Sequence, residues 1–96
     1  MNVLDQLYQK DPSIVYREIA GESLLVPIRS HADDLDSIYT LNETGAYIWS
    51  LIDGQHSLAE IRDAVVQEFE VDSQQAGQDL VEMIRDLESI AAVVKK

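Results

Sequence analysis

The sequence contains no cysteine. That absence excludes disulfides, thiolate zinc sites, a cysteine nucleophile and the usual thiolate-held iron–sulfur clusters, so any redox chemistry belongs to a partner. Basic residues are scarce as well: 7 Lys and Arg stand against 18 Asp and Glu, a formal net charge of −11. A field of that sign repels a phosphate backbone, so nucleic acid is not an expected partner; the same acidity also serves as a solubility device with no partner at all. No apolar run approaches the roughly 18 residues of a membrane span, and residues 1–11 lack a basic start followed by an apolar stretch, so the expected location is cytoplasmic, with no membrane partner. Glycine-rich phosphate loops and a Gly-x-Ser-x-Gly elbow are absent, as are internal repeats and low-complexity segments.

What is present is an aliphatic pattern over 96 residues, of which 46% are hydrophobic but only 6% aromatic. That length suits one compact domain with one core. Residues 1–11 hold Leu4, Leu7 and Tyr8 at helical spacing, but Pro12 follows closely, and they read as a flexible N-terminal tail preceding a domain over residues 12–96. Ser13 to Ile19 reads as a strand, Ala20-Gly21-Glu22 as a turn, and Ser23 to Arg29 as a second strand with Leu24, Val26 and Ile28 on one face. Pro27 cannot donate a ladder hydrogen bond, so its amide position must point to an unpaired side or a bulge. After the polar loop Ser30 to Asp34, Leu35 to Leu41 alternates again, with Leu35, Ser37, Tyr39 and Leu41 on one face.

Helical spacing begins beyond Leu41. Asn42 is an N-cap with Glu43 near the positive end of the helix dipole, and Ala46, Ile48, Trp49 and Ile52 form an apolar stripe that Asp53-Gly54 ends. The capping box Ser57-x-x-Glu60 opens a second helix that buries Leu58, Ile61, Ala64, Val65 and Phe69. A third starts near Asp72 and carries Ala76, Leu80, Met83, Ile84 and Leu87. Ile90 to Val94 fits either a short final strand or a fray of that helix. The expected fold class is therefore α+β and winged-helix-like, a three-stranded antiparallel meander followed by three helices. Leading strands without βα alternation argue against a parallel-sheet enzyme fold.

The motifs carry little catalytic chemistry. His31 and His56 lie on predicted loops, and neither has a second ligand at helical spacing. Asp33, Asp34 and Asp36 look like the start of a calcium loop, but the twelfth position is Thr44 or Gly45 rather than Glu, and a solvated loop fits better. Neither a metal nor another cofactor is expected. A winged helix also invites a DNA-binding reading, yet the third helix carries Asp79, Glu82, Asp86 and Glu88 against one Arg85.

The runs Tyr16 to Glu22, Leu41-Asn42-Glu43-Thr44-Gly45-Ala46-Tyr47-Ile48-Trp49-Ser50-Leu51-Ile52-Asp53-Gly54, Ser57-Leu58-x-Glu60-Ile61 and Phe69-x-Val71-Asp72 with Asp79-Leu80 resemble the PqqD family. The resemblance spans about residues 12 to 90. Most of these residues also have a fold-specifying reading: Asn42 caps, Gly45 permits a close approach of the first turn, and Trp49 fills the core. Two departures stand out, an acidic loop over 30–36 that lacks the family's glycine and a third helix not closed by glycine.

The resemblance implies a non-catalytic RiPP recognition element, which binds the leader segment of a ribosomally made precursor peptide and presents it to a modifying enzyme. In the founding pathway, pyrroloquinoline quinone synthesis, that enzyme is a radical S-adenosylmethionine protein; other RiPP pathways, such as those of lasso peptides, are equally open. The implied mechanism is β-augmentation on the third strand, with leader side chains entering a groove beside the third helix. On the strand this assigns Asp36, Ser37, Ile38, Tyr39 and Thr40 to peptide binding, since that edge holds no Pro or Lys to block pairing. On the helix, the flank with Gly77, Val81 and Ile84, rimmed by Arg85, is expected to face the strand, because it widens the apolar stripe. The competing reading is a scaffold or a homodimer formed through the same edge strand without leader recognition.

Overall fold

The structure, a computed structural model, describes residues 3–28 and 38–96. Strand β2 (Ile14–Ile19) and strand β3 (Glu22–Pro27) form an antiparallel hairpin, in register from Ile14 opposite Pro27 to Ile19 opposite Glu22. The two-residue turn puts Ala20 at φ 53 and Gly21 at φ 83, the positive values that a primed hairpin turn needs. Strand β4 (Tyr39–Leu41) adds to β3 with Leu25 opposite Tyr39 and Ser23 opposite Leu41. The expected meander is thus present in the order β2-β3-β4; residues 35–37 of its third strand lie outside the described residues.

Peptide alternation settles where Pro27 points. Ile28 N–H donates to Ser13 O at 2.8 Å, so in the β2–β3 register the hydrogen-bonded pairs are Val15–Val26 and Arg17–Leu24. The peptide groups of Ser23, Leu25 and residue 27 therefore turn toward β4, and Pro27 has no N–H to offer there.

Three helices follow. Helix α1 (Glu43–Leu51) is capped by Asn42, whose side chain accepts from Gly45 N–H at 2.7 Å. A Cβ at Gly45 would lie 3.1 Å from that Asn42 oxygen and 3.4 Å from Leu41, which is the physical reason for glycine here. Helix α2 (Leu58–Phe69) opens with the expected capping box: Glu60 N–H donates to Ser57 Oγ at 3.2 Å, and Ser57 N–H to Glu60 Oε1 at 2.8 Å. Helix α3 (Ser73–Ser89) starts at Asp72, which accepts from Gln75 N–H at 3.1 Å. Leu80, Ile84 and Leu87 are buried at 0–2% exposure against Leu25, Leu58 and Ile61 in one core, and Trp49 is 4% exposed.

A second sheet corrects the expectation of a loose N-terminal tail. Strand β1 (Leu7–Lys10) lies between strand β5 (Asp53–Ser57) and strand β6 (Val93–Lys95), antiparallel to both. Tyr8 is 2% exposed, and Lys10 Nζ stands 5.3 Å from the Trp49 ring centroid, a cation–π contact. Local spacing could not disclose this strand, because both of its partners come from distant parts of the chain. The same sheet converts Asp53-Gly54 from a helix stop into the start of β5, and it resolves the ambiguous C-terminal end as a strand. Helix α3 stops because Ala91 takes a left-handed φ of 57, with Ala92 N–H donating to Leu87 O at 2.8 Å, so alanine fills the place where glycine is usual. Among the described residues no helix is long and apolar enough to cross a membrane.

Two stability predictions follow from these features. Tyr8→Ala should cost about 3 kcal/mol in urea denaturation, as truncation of a buried aromatic does, whereas a loose tail would leave the midpoint unmoved. Ala91→Gly should instead gain up to about 1 kcal/mol by relieving the left-handed backbone.

Candidate functional site: a groove between the edge strand and the last helix

Among the described residues β4 is the last strand of its sheet, and its outer edge carries no further strand. The alternation that turns Leu25 and Ser23 toward β4 also makes Leu24 and Thr40 a non-hydrogen-bonded pair. The Thr40 peptide group therefore points away from β3 toward solvent. It forms an unpaired edge that an extended chain can join.

Beside that edge lies a groove of about 600 Å³. Tyr39, Thr40 and Leu41 supply one wall, and the first turn of α1, through Asn42, Thr44 and Gly45, closes one end. The floor is Ile48 and Met83, 3% and 8% exposed. The opposite wall is the α3 face bearing Asp79, Glu82 and Asp86. Successive helical residues advance about 100°, so these three carboxylates at i, i+3 and i+7 share one side of the helix. Gln75 Nε2 donates to Asp79 Oδ1 at 2.9 Å. Tyr39 Oη, from the strand, donates across the groove to Asp86 Oδ2 at 3.4 Å. Burial, then the Asp86 charge and this hydrogen bond, raise the Tyr39 hydroxyl above the ordinary tyrosine pKa, so it stays a donor at neutral pH.

The sequence-predicted site residues divide. Tyr39 and Thr40 line the groove. Ile38 is 43% exposed just before β4 and does not line the groove, while Asp36 and Ser37 lie outside the described residues. On α3 the expected flank is corrected. Ile84 is 2% exposed and belongs to the core, and Gly77, Val81 and Arg85 line a different cleft of about 870 Å³ with Val3, Leu4 and Arg62, with Glu82 on the ridge that borders both clefts. It is the acidic flank that faces β4. Helical spacing separates the two sides of a stripe, but which side meets the strand depends on how α3 is laid across the sheets. Ile48, Met83 and the three carboxylates were missed as groove residues for that reason; the one usable signal was the presence of three acidic residues on a single flank.

Among the described residues the groove's one hydroxyl–carboxylate pair is the long Tyr39–Asp86 contact. His56, considered as a ligand from sequence, instead meets Asp53 Oδ1 at 2.9 Å beside the cap of α2. The Asp53 carboxyl is held below its ordinary pKa by the Gln55 backbone N–H and then by His56. His31 and the loop aspartates lie outside the described residues.

The family described as coenzyme PQQ synthesis protein D (PqqD) matches residues 23–91. No curated protein sequence matches significantly. Two solved structures share the fold. One, TbiB1 in complex with the TbiA(beta) leader peptide, is 25% identical with a TM-score of 0.72, over 88% of this chain and 93% of that one. The other, a lasso peptide synthetase B1 complexed with the leader peptide, is 22% identical with a TM-score of 0.75, over 91% of this chain and 96% of that one.

Burial and the neighbouring Glu88 carboxylate raise Tyr8 just as burial and Asp86 raise Tyr39. A tyrosine whose folded pKa exceeds its unfolded value of about 10 contributes stability that is complete below that pH and is lost as pH rises through the folded value. Absorbance titration at alkaline pH should therefore show late-ionising components that Tyr8→Phe and Tyr39→Phe each remove. Each substitution should also lessen the fall in melting temperature above about pH 10.

Proposed function

The chain belongs to the PqqD family, and from that premise we propose that it is a non-catalytic, cytoplasmic peptide chaperone for a ribosomally made precursor. The precursor's leader segment adds as a strand to the outer edge of β4 and sets its side chains in the groove against α3. The modifying enzyme is a separate protein, a radical S-adenosylmethionine enzyme where the founding pathway applies, and the leader-bound domain presents the substrate to it.

The observation that carries this reading is the outward Thr40 peptide group above a concave, apolar-floored groove. Main-chain hydrogen bonds along an edge give affinity without demanding sequence, and a groove beside the edge reads alternate side chains. Both parts occur here within a few residues of each other. That two structures of the same fold are complexes with leader peptides adds support. A scaffold or edge-paired dimer would use the same strand, but no observation favours it, and two copies would bring their acidic α3 faces together.

Thr40→Pro is the direct test. Its N–H points outward, so proline removes a donor needed by an added strand while sparing the β3–β4 ladder. Leader binding, measured by fluorescence anisotropy with the precursor encoded beside the gene, should weaken about tenfold or more, with the melting temperature nearly unchanged. Val81→Glu, in the other cleft, should bind normally. Normal binding by Thr40→Pro together with loss by Val81→Glu would move the site to the second cleft.

A further inference from the structure

The groove's apolar floor and open edge determine that an extended peptide can lie there; the charge of its walls bears on which peptide. Of the side chains lining the groove, three are carboxylates, Asp79, Glu82 and Asp86, and none is a lysine or arginine. Asp79 has a neutral donor in Gln75, and Asp86 has another in the Tyr39 hydroxyl at 3.4 Å, a long contact. Among the described residues, neither Glu82 nor Asp86 has a cation within 4.0 Å; Glu82 also borders the second cleft, which holds Arg62 and Arg85, so Asp79 and Asp86 are the two carboxylates that face the groove alone.

A strand added to β4 covers this wall and strips water from it. Carboxylates covered without a partner are costly, and a like charge brought against them costs more. A lysine or arginine on the face of the peptide that meets α3 removes both penalties. Its methylene stem can also lie over Met83 and Ile48 while its head reaches the helix. The Tyr39–Asp86 contact shows that a donor entering from the strand side reaches the carboxylate.

We infer that the leader segment accepted by this domain is a basic–apolar one, carrying lysine or arginine toward α3 next to an apolar anchor in the floor, with Asp79, Glu82 and Asp86 as the specificity-determining residues. This rests on the groove being the leader site, and the test separates the two. A displayed library of random peptides is selected against the full chain at low ionic strength, and single enriched peptides are then measured in solution. Enriched sequences should carry Lys or Arg at a constant spacing from an apolar residue. Their binding should weaken about tenfold in the isosteric variant Asp79→Asn/Glu82→Gln/Asp86→Asn and should fall as salt rises. Glu82→Gln alone breaks no hydrogen bond among the described residues, and it should show part of the same loss if the triple variant is unstable.

Enriched peptides that need the β4 edge, losing affinity in Thr40→Pro, but show no preference for basic residues would overturn the charge inference and leave the groove reading standing. Failure to enrich any peptide, or enriched peptides indifferent to Thr40→Pro, would overturn both.

Discussion

The position of β1 between β5 and β6 is the constraint on which the rest of the domain depends. β1 is the strand that both of the others pair with, and its neighbourhood ties down the start of α2 and the end of α3. Gln6 O accepts from Leu58 N–H at 3.1 Å at the start of α2, and Asp11 N–H donates to Ala92 O at 2.9 Å just beyond α3. Lys96 N–H reaches Leu7 O at 3.0 Å, and Lys96 Nζ reaches Gly54 O at 2.9 Å. Tyr8 Oη adds a contact to Glu88 in the last turn of α3. With the beginning of α2 and the end of α3 held to one strand, α3 is laid across the core at a set angle. That angle turns Asp79, Glu82 and Asp86 toward β4.

Most of the fold was legible in the sequence because most of it is locally encoded. Asn42 and the Ser57–Glu60 pair mark helix starts with side chains that satisfy specific backbone donors, and alternation in β2 and β3 marks a hairpin. The second sheet was not legible. Its strands are only three to five residues long and pair across most of the chain, so each alone looks like a tail, a turn or a frayed helix. Ala91 misled in a different way: an alanine at positive φ gives no local signal, and the stop it enforces is held by Ala92 N–H on Leu87 O.

The site was half legible for the same physical reason. A strand edge free of Pro and Lys can be seen from residue types, and Tyr39 and Thr40 do line the groove. The helical wall could not be assigned, because the stripe Ala76, Leu80, Met83 and Leu87 has two flanks and the sequence does not say which neighbour each meets. A wall made from the apolar flank would be greasy throughout. In the structure the apolar requirement is met from below, by Ile48 and Met83, and the helix is free to present charge.

That division of labour bears on how a small domain can bind a flexible peptide selectively. Backbone pairing along β4 is indifferent to sequence, and a floor of two aliphatic side chains discriminates weakly, since hydrophobic contacts reward size more than identity. Selectivity must then come from groups that penalise the wrong partner. On the proposed reading three carboxylates do this: all three are exposed, and none belongs to the buried set that packs α3. The acidity of α3 that argues against a nucleic-acid partner thus becomes, on the proposed reading and once the helix is set beside an open strand, the feature by which the groove would tell one extended segment from another.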